Sequence, residues 1–254
     1  MMTCPGPACN IMAMPRKPLP PDSRSVWSLG PKDIENRPKH LMLIARILTL
    51  WPYVDLQLGI ILGLLLGTDP ESTVAIFSLV RQFRTQRDMI LAAAESRKLS
   101  PEDFETLEAT LIEVGAASKE RDALAHGQWG LTPKLPDAVL WVETKHAASW
   151  TMEMLVRESA GRKRTGTEHA QLAEKMFIYD LKDLRAVYEQ VDDVWRIAFE
   201  VSVYIRWKLN PHLQPGIIAM EAERRLKNLP RLQAAITRLR QEKQMAVARA
   251  AATR

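Results

Sequence analysis

The longest apolar stretch of the chain, residues 41–66, constrains the fold most, because it must be buried in a protein core or in a membrane. Its longest run without a charged, amide or proline residue is nine residues long, from 58 to 66. A membrane-spanning helix needs about 20 consecutive apolar residues. Four residues that disfavour a span interrupt the stretch, namely Arg46, Pro52, Asp55 and Gln57. These features favour a core helix of a soluble protein.

Three glycines, Gly59, Gly63 and Gly67, recur every four residues in this stretch and so share one face of a helix. Pairs of membrane helices use the same spacing, and a membrane-associated helical protein is therefore one alternative. In a soluble bundle such a stripe lets two helices approach closely, within one chain or across a dimer. We expect this second arrangement and no membrane partner.

Proline, glycine and capping residues divide the chain into helices. Apolar periodicity predicts a helix from His40 that Pro52 interrupts or kinks, and a second segment that ends near Gly67. Asp69-Pro70 is a helix start, because Asp caps well and Pro suits the first helical position. Apolar residues with helical spacing continue from there through Leu91 and predict one helix.

A further helix start is predicted where Asp103 follows Ser100 by three residues. The apolar spacing carries that helix to His126-Gly127, where Gly127 would end it in the left-handed conformation. Residues 128–132 and 138–142 have strand character and predict a β-hairpin. The sequence between 145 and 175 is polar and shows no clear pattern.

A long helix is predicted from a cap at Asp180 to a stop at Pro211, followed by a basic helix broken at Pro230. The predicted fold is mainly α: a helical bundle with a small β-hairpin insertion and a basic C-terminal helical arm. The predicted divisions are a disordered Pro-rich tail over 1–30, a helical domain over 31–210 with its β insertion near 128–145, and the arm over 211–254.

Standard catalytic and cofactor-binding motifs are absent from the sequence. Gly161 and Gly166 have the spacing of a phosphate-binding loop, but no lysine follows the second glycine and no strand is predicted before the first. Cys4 and Cys9 lack the further Cys or His that a zinc site needs, so we expect free thiols in a reducing, cytoplasmic compartment. We expect neither a metal nor a cofactor.

One segment combines residue types used in acid–base and phosphate chemistry: Arg121, Asp122 and His126, near the end of a predicted helix. On an ideal helix, residues five apart differ by about 140° in direction, so Arg121 and His126 do not share a face. Asp122 and His126 are four apart and do share one, so the carboxylate could orient the imidazole. The same residues would also suit a solvated charged face with His126 near the last carbonyls.

The segment from Glu120 to Trp129 resembles the signature of the HEPN superfamily. In that signature an arginine, usually followed by Asn, Asp or His, precedes a histidine by a few residues near a helix end. The order of helices, motif, short β segment and a helix led by Tyr179-Asp180 is also similar to small bacterial HEPN-like proteins. The motif covers about ten residues and the looser similarity roughly 40–210. Asp122 stands where asparagine is commoner.

This resemblance implies a metal-independent endoribonuclease in which the RNA 2′-OH attacks the adjacent phosphate. His126 would act as general base or acid, Arg121 would stabilise the phosphorane, and Asp122 would hold the imidazole. HEPN sites usually form between two subunits, so a homodimer is implied, in a setting of bacterial stress, phage defence or toxin–antitoxin pairs. Many members are inactive, and the alternative is a non-catalytic HEPN-like interaction or RNA-binding module.

Basic residues outside the motif are candidates for contacts with RNA phosphates. Arg162, Lys163 and Arg164 lie in a glycine-flanked segment, for which a solvated loop is the alternative. Residues 217–254 contain nine lysines and arginines against three glutamates, whereas the rest of the chain is nearly neutral. Within this arm Arg224 and Arg225 would contact RNA, or the arm would pack on an acidic protein partner.

Overall fold

A computed structural model describes residues 17–161, 166–210 and 217–252, and Cys4, Cys9 and the three basic residues at 162–164 lie outside them. The described residues form nine α-helices and one five-stranded antiparallel sheet, which confirms the predicted mainly α fold with a small β component. The helices are α1 (Pro38–Leu66), α2 (Pro70–Phe77), α3 (Phe83–Ser96), α4 (Pro101–His126), α5 (Thr144–Ser159), α6 (Gly166–Ala173), α7 (Leu181–Leu209), α8 (Ile217–Lys227) and α9 (Pro230–Ala252).

The sheet has the strand order β1-β5-β4-β3-β2. Its strands are β1 (Lys17–Pro18), β2 (Ser28–Leu29), β3 (Gly127–Leu131), β4 (Ala138–Glu143) and β5 (Phe177–Asp180), with 3₁₀ turns at Pro21–Ser23 and Asp33–Asn36. The predicted hairpin is its centre, where Trp129 of β3 pairs with Trp141 of β4.

Residues 17–29 differ from the predicted disordered tail over 1–30, because they supply both edge strands of the sheet. Leu19, only 1% exposed, anchors this segment in a core that includes Leu140 and Val142. Proline is compatible with an edge strand, where a missing N–H costs no ladder bond. Burial therefore orders a segment whose composition alone suggests mobility.

The described chain divides into two compact units. The first comprises described parts of residues 1–48 and 120–189, and it contains the sheet, α5 and α6. The second comprises described parts of 49–119 and 190–254, and it contains α2, α3, α8 and α9. This division differs from the predicted boundaries at residues 30 and 210, because three long helices, α1, α4 and α7, contribute residues to both units.

Helix α1 runs unbroken through Pro52, where the sequence predicts an interruption or kink. An internal proline costs about 3 kcal/mol. Trp51, Val54 and Leu58 around it are at most 4% exposed, and burial of each large apolar side chain stabilises by about 1.5–3 kcal/mol. The burial free energy of these three side chains together exceeds the cost of the proline. By length and hydropathy α1 could also cross a membrane, and half of its most apolar window is buried inside the protein.

The glycine stripe of α1 faces α2 of the same chain. A Cβ atom at Gly59 would lie 2.9 Å from Cγ2 of Val74, and one at Gly63 would lie 3.2 Å from the Cα of Pro70. Gly67 ends the helix at φ +67°, and the N–H of Thr68 donates to the carbonyl of Gly63 at 3.1 Å. The predicted close approach at Gly59 and Gly63 and the predicted helix end at Gly67 are confirmed, and the approach is to a helix of the same chain.

The predicted helix from Pro70 through Leu91 is two helices, α2 and α3, separated by residues 78–82. All three predicted N-caps are present: Asp69 accepts from the N–H of Ser72 at 2.8 Å, and Ser100 accepts from the N–H of Asp103 at 3.2 Å. Asp180 accepts from the N–H of Asp183 at 2.8 Å. The polar stretch between 145 and 175 forms most of α5 and all of α6.

Candidate functional site

The candidate site lies on the last turns of α4, in the first unit. Arg121 is 25% exposed in its side chain, Asp122 is 51% exposed, and His126, the last helical residue, is also exposed. The two neighbouring apolar positions differ, since Leu124 is buried and Ala125 is exposed. The helix therefore buries Leu124 while it presents the three polar side chains at or near the surface.

The carboxylate of Asp122 contacts Arg121, and not His126 as the four-residue spacing suggests. Its Oδ1 lies 2.9 Å from Nη1 of Arg121. Among the described contacts no ion pair or hydrogen bond joins Asp122 to His126. Adjacent residues on a helix point about 100° apart, but the long arginine side chain spans that angle. Asp122 therefore positions the guanidinium rather than the imidazole.

Trp141 of β4 fixes the end of α4. Its indole Nε1 donates to the carbonyl of Ala123 at 2.9 Å, and the side chain is only 2% exposed. The ring fills the space beside Gly127, where a Cβ would lie 1.7 Å from Nε1. The sequence predicts a left-handed conformation at Gly127, and this prediction is wrong. Gly127 instead begins β3, and the indole leaves no room for a side chain at this position. The turn from helix to strand is thus set by packing against Trp141.

A second contact holds the same helix end. The hydroxyl of Thr144, the first residue of α5, donates to the backbone carbonyl of His126. The last carbonyls of a helix have no partner within the helix, so this bond satisfies one of them. Trp141 and Thr144 together place His126 at a fixed point between α4 and the sheet. Neither contact has a local sequence signal, because the partners lie 18 positions apart.

The two basic residues of the arm that were candidates for RNA contact both have carboxylate partners in the second unit. Arg224 donates to Glu221 at 2.9 and 2.8 Å. Arg225 donates to Glu221 at 3.2 Å and also lies 3.6 Å from Glu200. The paired carboxylates lower the net positive charge that α8 offers to a phosphate.

Helix α9 is bound to α4 by a series of ion pairs. Buried Glu113 accepts from Arg231 at 2.8 Å and from Arg238 at 2.5 Å. Two more pairs follow along the helix, Arg240 with Glu105 and Lys243 with Glu108, each at 2.7 Å. The apolar side of α9 is buried through Leu232, Ala235, Ile236 and Leu239. The acidic partner of the basic arm is therefore, at least in part, the chain itself.

Two histidines outside the motif, His40 and His169, are wholly and partly buried, and no sequence pattern predicts the burial of either one. His40 is 3% exposed, and burial lowers its pKa. His169 stacks on Trp27 with ring centroids 3.8 Å apart, and burial lowers its pKa as well. Depressed pKa values keep both imidazoles neutral near pH 7. Both are features of the core around the sheet and α1.

Among the side chains that the structure describes, no three from His, Cys, Asp or Glu lie close enough together to share a metal ion. No family model, curated protein or solved structure matches the chain.

Proposed function

We propose that the chain is a metal-independent endoribonuclease of the HEPN type that works as a homodimer. One observation carries the proposal: the last turns of α4 present an arginine, a carboxylate and a histidine within six consecutive residues, Arg121 to His126. Cleavage of a phosphodiester needs a cation for the charged phosphate and a group that moves protons. Arg121 and His126 are the residue types for these two tasks.

In the proposed reaction, His126 accepts the proton of a ribose 2′-OH while that oxygen attacks the adjacent phosphorus. The O2′–P bond forms and the P–O5′ bond breaks, so the products are a 2′,3′-cyclic phosphate and a 5′-hydroxyl. The leaving O5′ takes a proton from a second acid, which His126 of a second copy would supply. No oxidant, reductant or further reactant is consumed.

Part of the Arg121 side chain, 25% of it, is exposed beside the Asp122 side chain, which is 51% exposed. A solvent-exposed ion pair is worth only about 0–1 kcal/mol. An Arg–phosphate contact can form two parallel hydrogen bonds and is stronger. The negative end of the α4 dipole repels an anion, so phosphate binding would depend on this arginine.

Cleavage by the purified full-length chain tests the proposal. Labelled RNA is incubated with the wild type in EDTA, and the 3′ ends of the fragments are analysed for cyclic phosphate. His126→Ala and Arg121→Ala should each lower the rate at least about 100-fold, because a positioned proton-transfer group contributes about 10²–10⁴ and a donor aimed at the developing charge about 10²–10³. His146→Ala and Arg157→Ala are matched controls, since both side chains lie on α5, are partly exposed and have a carboxylate nearby, and they should cleave normally.

Two outcomes would overturn the nuclease. One is the absence of cleavage across RNAs of varied sequence and structure, with the protein folded and dimeric. The other is cleavage that survives His126→Ala, which would indicate a contaminating nuclease. Light scattering that shows a monomer at all concentrations would remove the second-copy acid from the mechanism.

The second candidate is a non-catalytic HEPN-like interaction module, and the surface of α5 favours it. Met152, Leu155 and Val156, spaced at i, i+3 and i+4, are all more than half exposed. Adjacent exposed apolar side chains are typical of interaction surfaces. A wild-type chain that binds RNA without cutting it, with equal affinity in His126→Ala, would establish this function instead.

A further inference from the structure

A pocket of about 370 Å³ opens at the residue that follows His126. One wall is formed by the first three residues of β3, Gly127, Gln128 and Trp129. The other is formed by residues at and after β2, namely Leu29, Gly30, Pro31 and Ile34. Sites for small molecules have volumes of about 300–1,000 Å³. The pocket is therefore large enough for one small ligand.

The lining combines apolar residues with one polar side chain. Leu29, Pro31 and Ile34 provide the apolar part, and Trp129 adds an aromatic ring. Gln128 is exposed, and its amide offers both hydrogen-bond donors and an acceptor. Single-stranded RNA is recognised in the same way, by stacking of an unpaired base and by hydrogen bonds to its edge. The chemistry of the wall thus suits a nucleobase.

The strand that carries the pocket is held on both sides. β3 pairs with β2 and with β4, and Trp141 fixes the position of Gly127. The ring of Trp129 contacts that of Tyr179, with centroids 5.8 Å apart, and Tyr179 is fully buried. These contacts preform the wall, so little ordering is needed when a ligand binds.

The position of the pocket connects it with the proposed reaction. Consecutive Cα atoms are about 3.8 Å apart, so the pocket begins within one side-chain length of His126. A phosphate held at His126 therefore brings a flanking base close to Gln128. A base in the pocket would in turn hold the scissile phosphate in register with the histidine.

We propose that this pocket binds the base next to the scissile phosphate and that Gln128 determines which base is preferred. The inference rests on the proposed function. Gln128 acts through hydrogen bonds to the edge of the base, whereas the apolar wall of Leu29, Pro31 and Ile34 holds its face. Gln128 is a specificity-determining residue and takes no part in proton transfer.

Cleavage of a random single-stranded RNA pool, read by sequencing of the fragment ends, tests the pocket. The wild type should prefer one base at a position that flanks the cut. Gln128→Ala should reduce that preference at least about fivefold, the effect of one lost base contact of about 1 kcal/mol. The loss should be larger on preferred sequences, so kcat/KM should fall more on these than on disfavoured ones. Gln171→Ala, an exposed glutamine on α6 that does not line the pocket, should keep the wild-type preference.

A second measurement separates failure of the pocket from failure of the nuclease. Binding of the four nucleoside monophosphates is followed by tryptophan fluorescence, in the wild type, Gln128→Ala and Trp129→Phe. Binding that Gln128→Ala weakens, in a chain that cleaves no RNA, would support the pocket and overturn only the nuclease. Equal base preference in Gln128→Ala and wild type would overturn the pocket while cleavage stands. If no nucleotide binds and no base is preferred, the pocket is overturned.

Discussion

Replacement of Glu113 by alanine removes the carboxylate that joins α4 to two arginines of α9. Glu113 is 7% exposed in its side chain, Arg231 is 23% exposed and Arg238 is 53% exposed. A hydrogen bond between charged groups contributes about 1.5–3 kcal/mol when it is shielded from water, and an exposed pair about 0–1 kcal/mol. The contact with Arg231 belongs to the first class and that with Arg238 to the second.

We therefore expect Glu113→Ala to lower the free energy of unfolding by about 2–3 kcal/mol. This is less than the 3–5 kcal/mol lost when one partner of a fully buried pair is removed, because Arg231 also lies 3.5 Å from Asp193 and Arg238 reaches solvent. Glu108→Ala is the matched control on the same helix. Its carboxylate and Lys243 are 18% and 51% exposed, so its loss should cost no more than about 1 kcal/mol.

Urea unfolding of four variants measures the effect: wild type, Glu113→Ala, Arg231→Ala and the double variant. The coupling energy from this cycle isolates the pair and should exceed about 1 kcal/mol. Glu113→Gln, which keeps the shape and one acceptor, should lie between wild type and alanine. Equal losses for Glu113→Ala and Glu108→Ala, or a coupling energy near zero, would refute the assignment of α9 as a helix held by charge.

Three further predictions concern single positions. Gly127→Ala should lower the free energy of unfolding by about 2 kcal/mol, because its Cβ would overlap Trp141; an unchanged melting temperature would contradict this. Gly59→Ala should destabilise despite the better helix propensity of alanine, about 1 kcal/mol, and shortening its neighbour with Val74→Ala should restore stability in a double variant. Burial lowers the pKa of His40, so the unfolded chain binds a proton that the folded chain rejects, and stability should fall as the pH drops below about 6.5. Urea unfolding between pH 7.5 and 5 should show a shallower fall in His40→Gln, and identical slopes would contradict the assignment.

Helix ends were predictable from the sequence wherever a side chain caps its own helix. The aspartate before Pro70 and the serine before Pro101 bond within three residues, so their signals are local. The effect of Pro52 was not predictable in the same way. Its outcome depends on how deeply Trp51 and Val54 are buried, and burial is a property of the whole fold.

Strands were predictable only where they are long enough to show a pattern. β3 and β4 have five and six residues, but β1 and β2 have two each. A segment of two residues shows no periodicity. These two strands form because Leu19 is buried and because they pair with residues more than 100 positions away. The break between α2 and α3 was hidden because apolar residues continue across it.

The candidate site, too, was predictable only in its local features. Its residue types and its place at a helix end follow from the sequence of Arg121 to His126. The partner of Asp122 does not, because two acceptable partners lie within reach and only the side-chain geometry selects Arg121. The hydrogen bond from Trp141 to the carbonyl of Ala123 joins positions 18 residues apart. A single sequence gives no signal from which such a pair could be predicted.

The contact between Trp141 and Gly127 has a consequence for how the chain can change during evolution. The indole occupies the volume of a side chain that position 127 lacks, so the two positions share one space. Substitutions should therefore occur jointly in homologous chains: glycine at 127 should accompany a large aromatic residue at 141, and a small residue at 141 should release 127 to vary. Because His126 directly precedes this glycine, a substitution at position 141 that moves Gly127 would also displace the histidine.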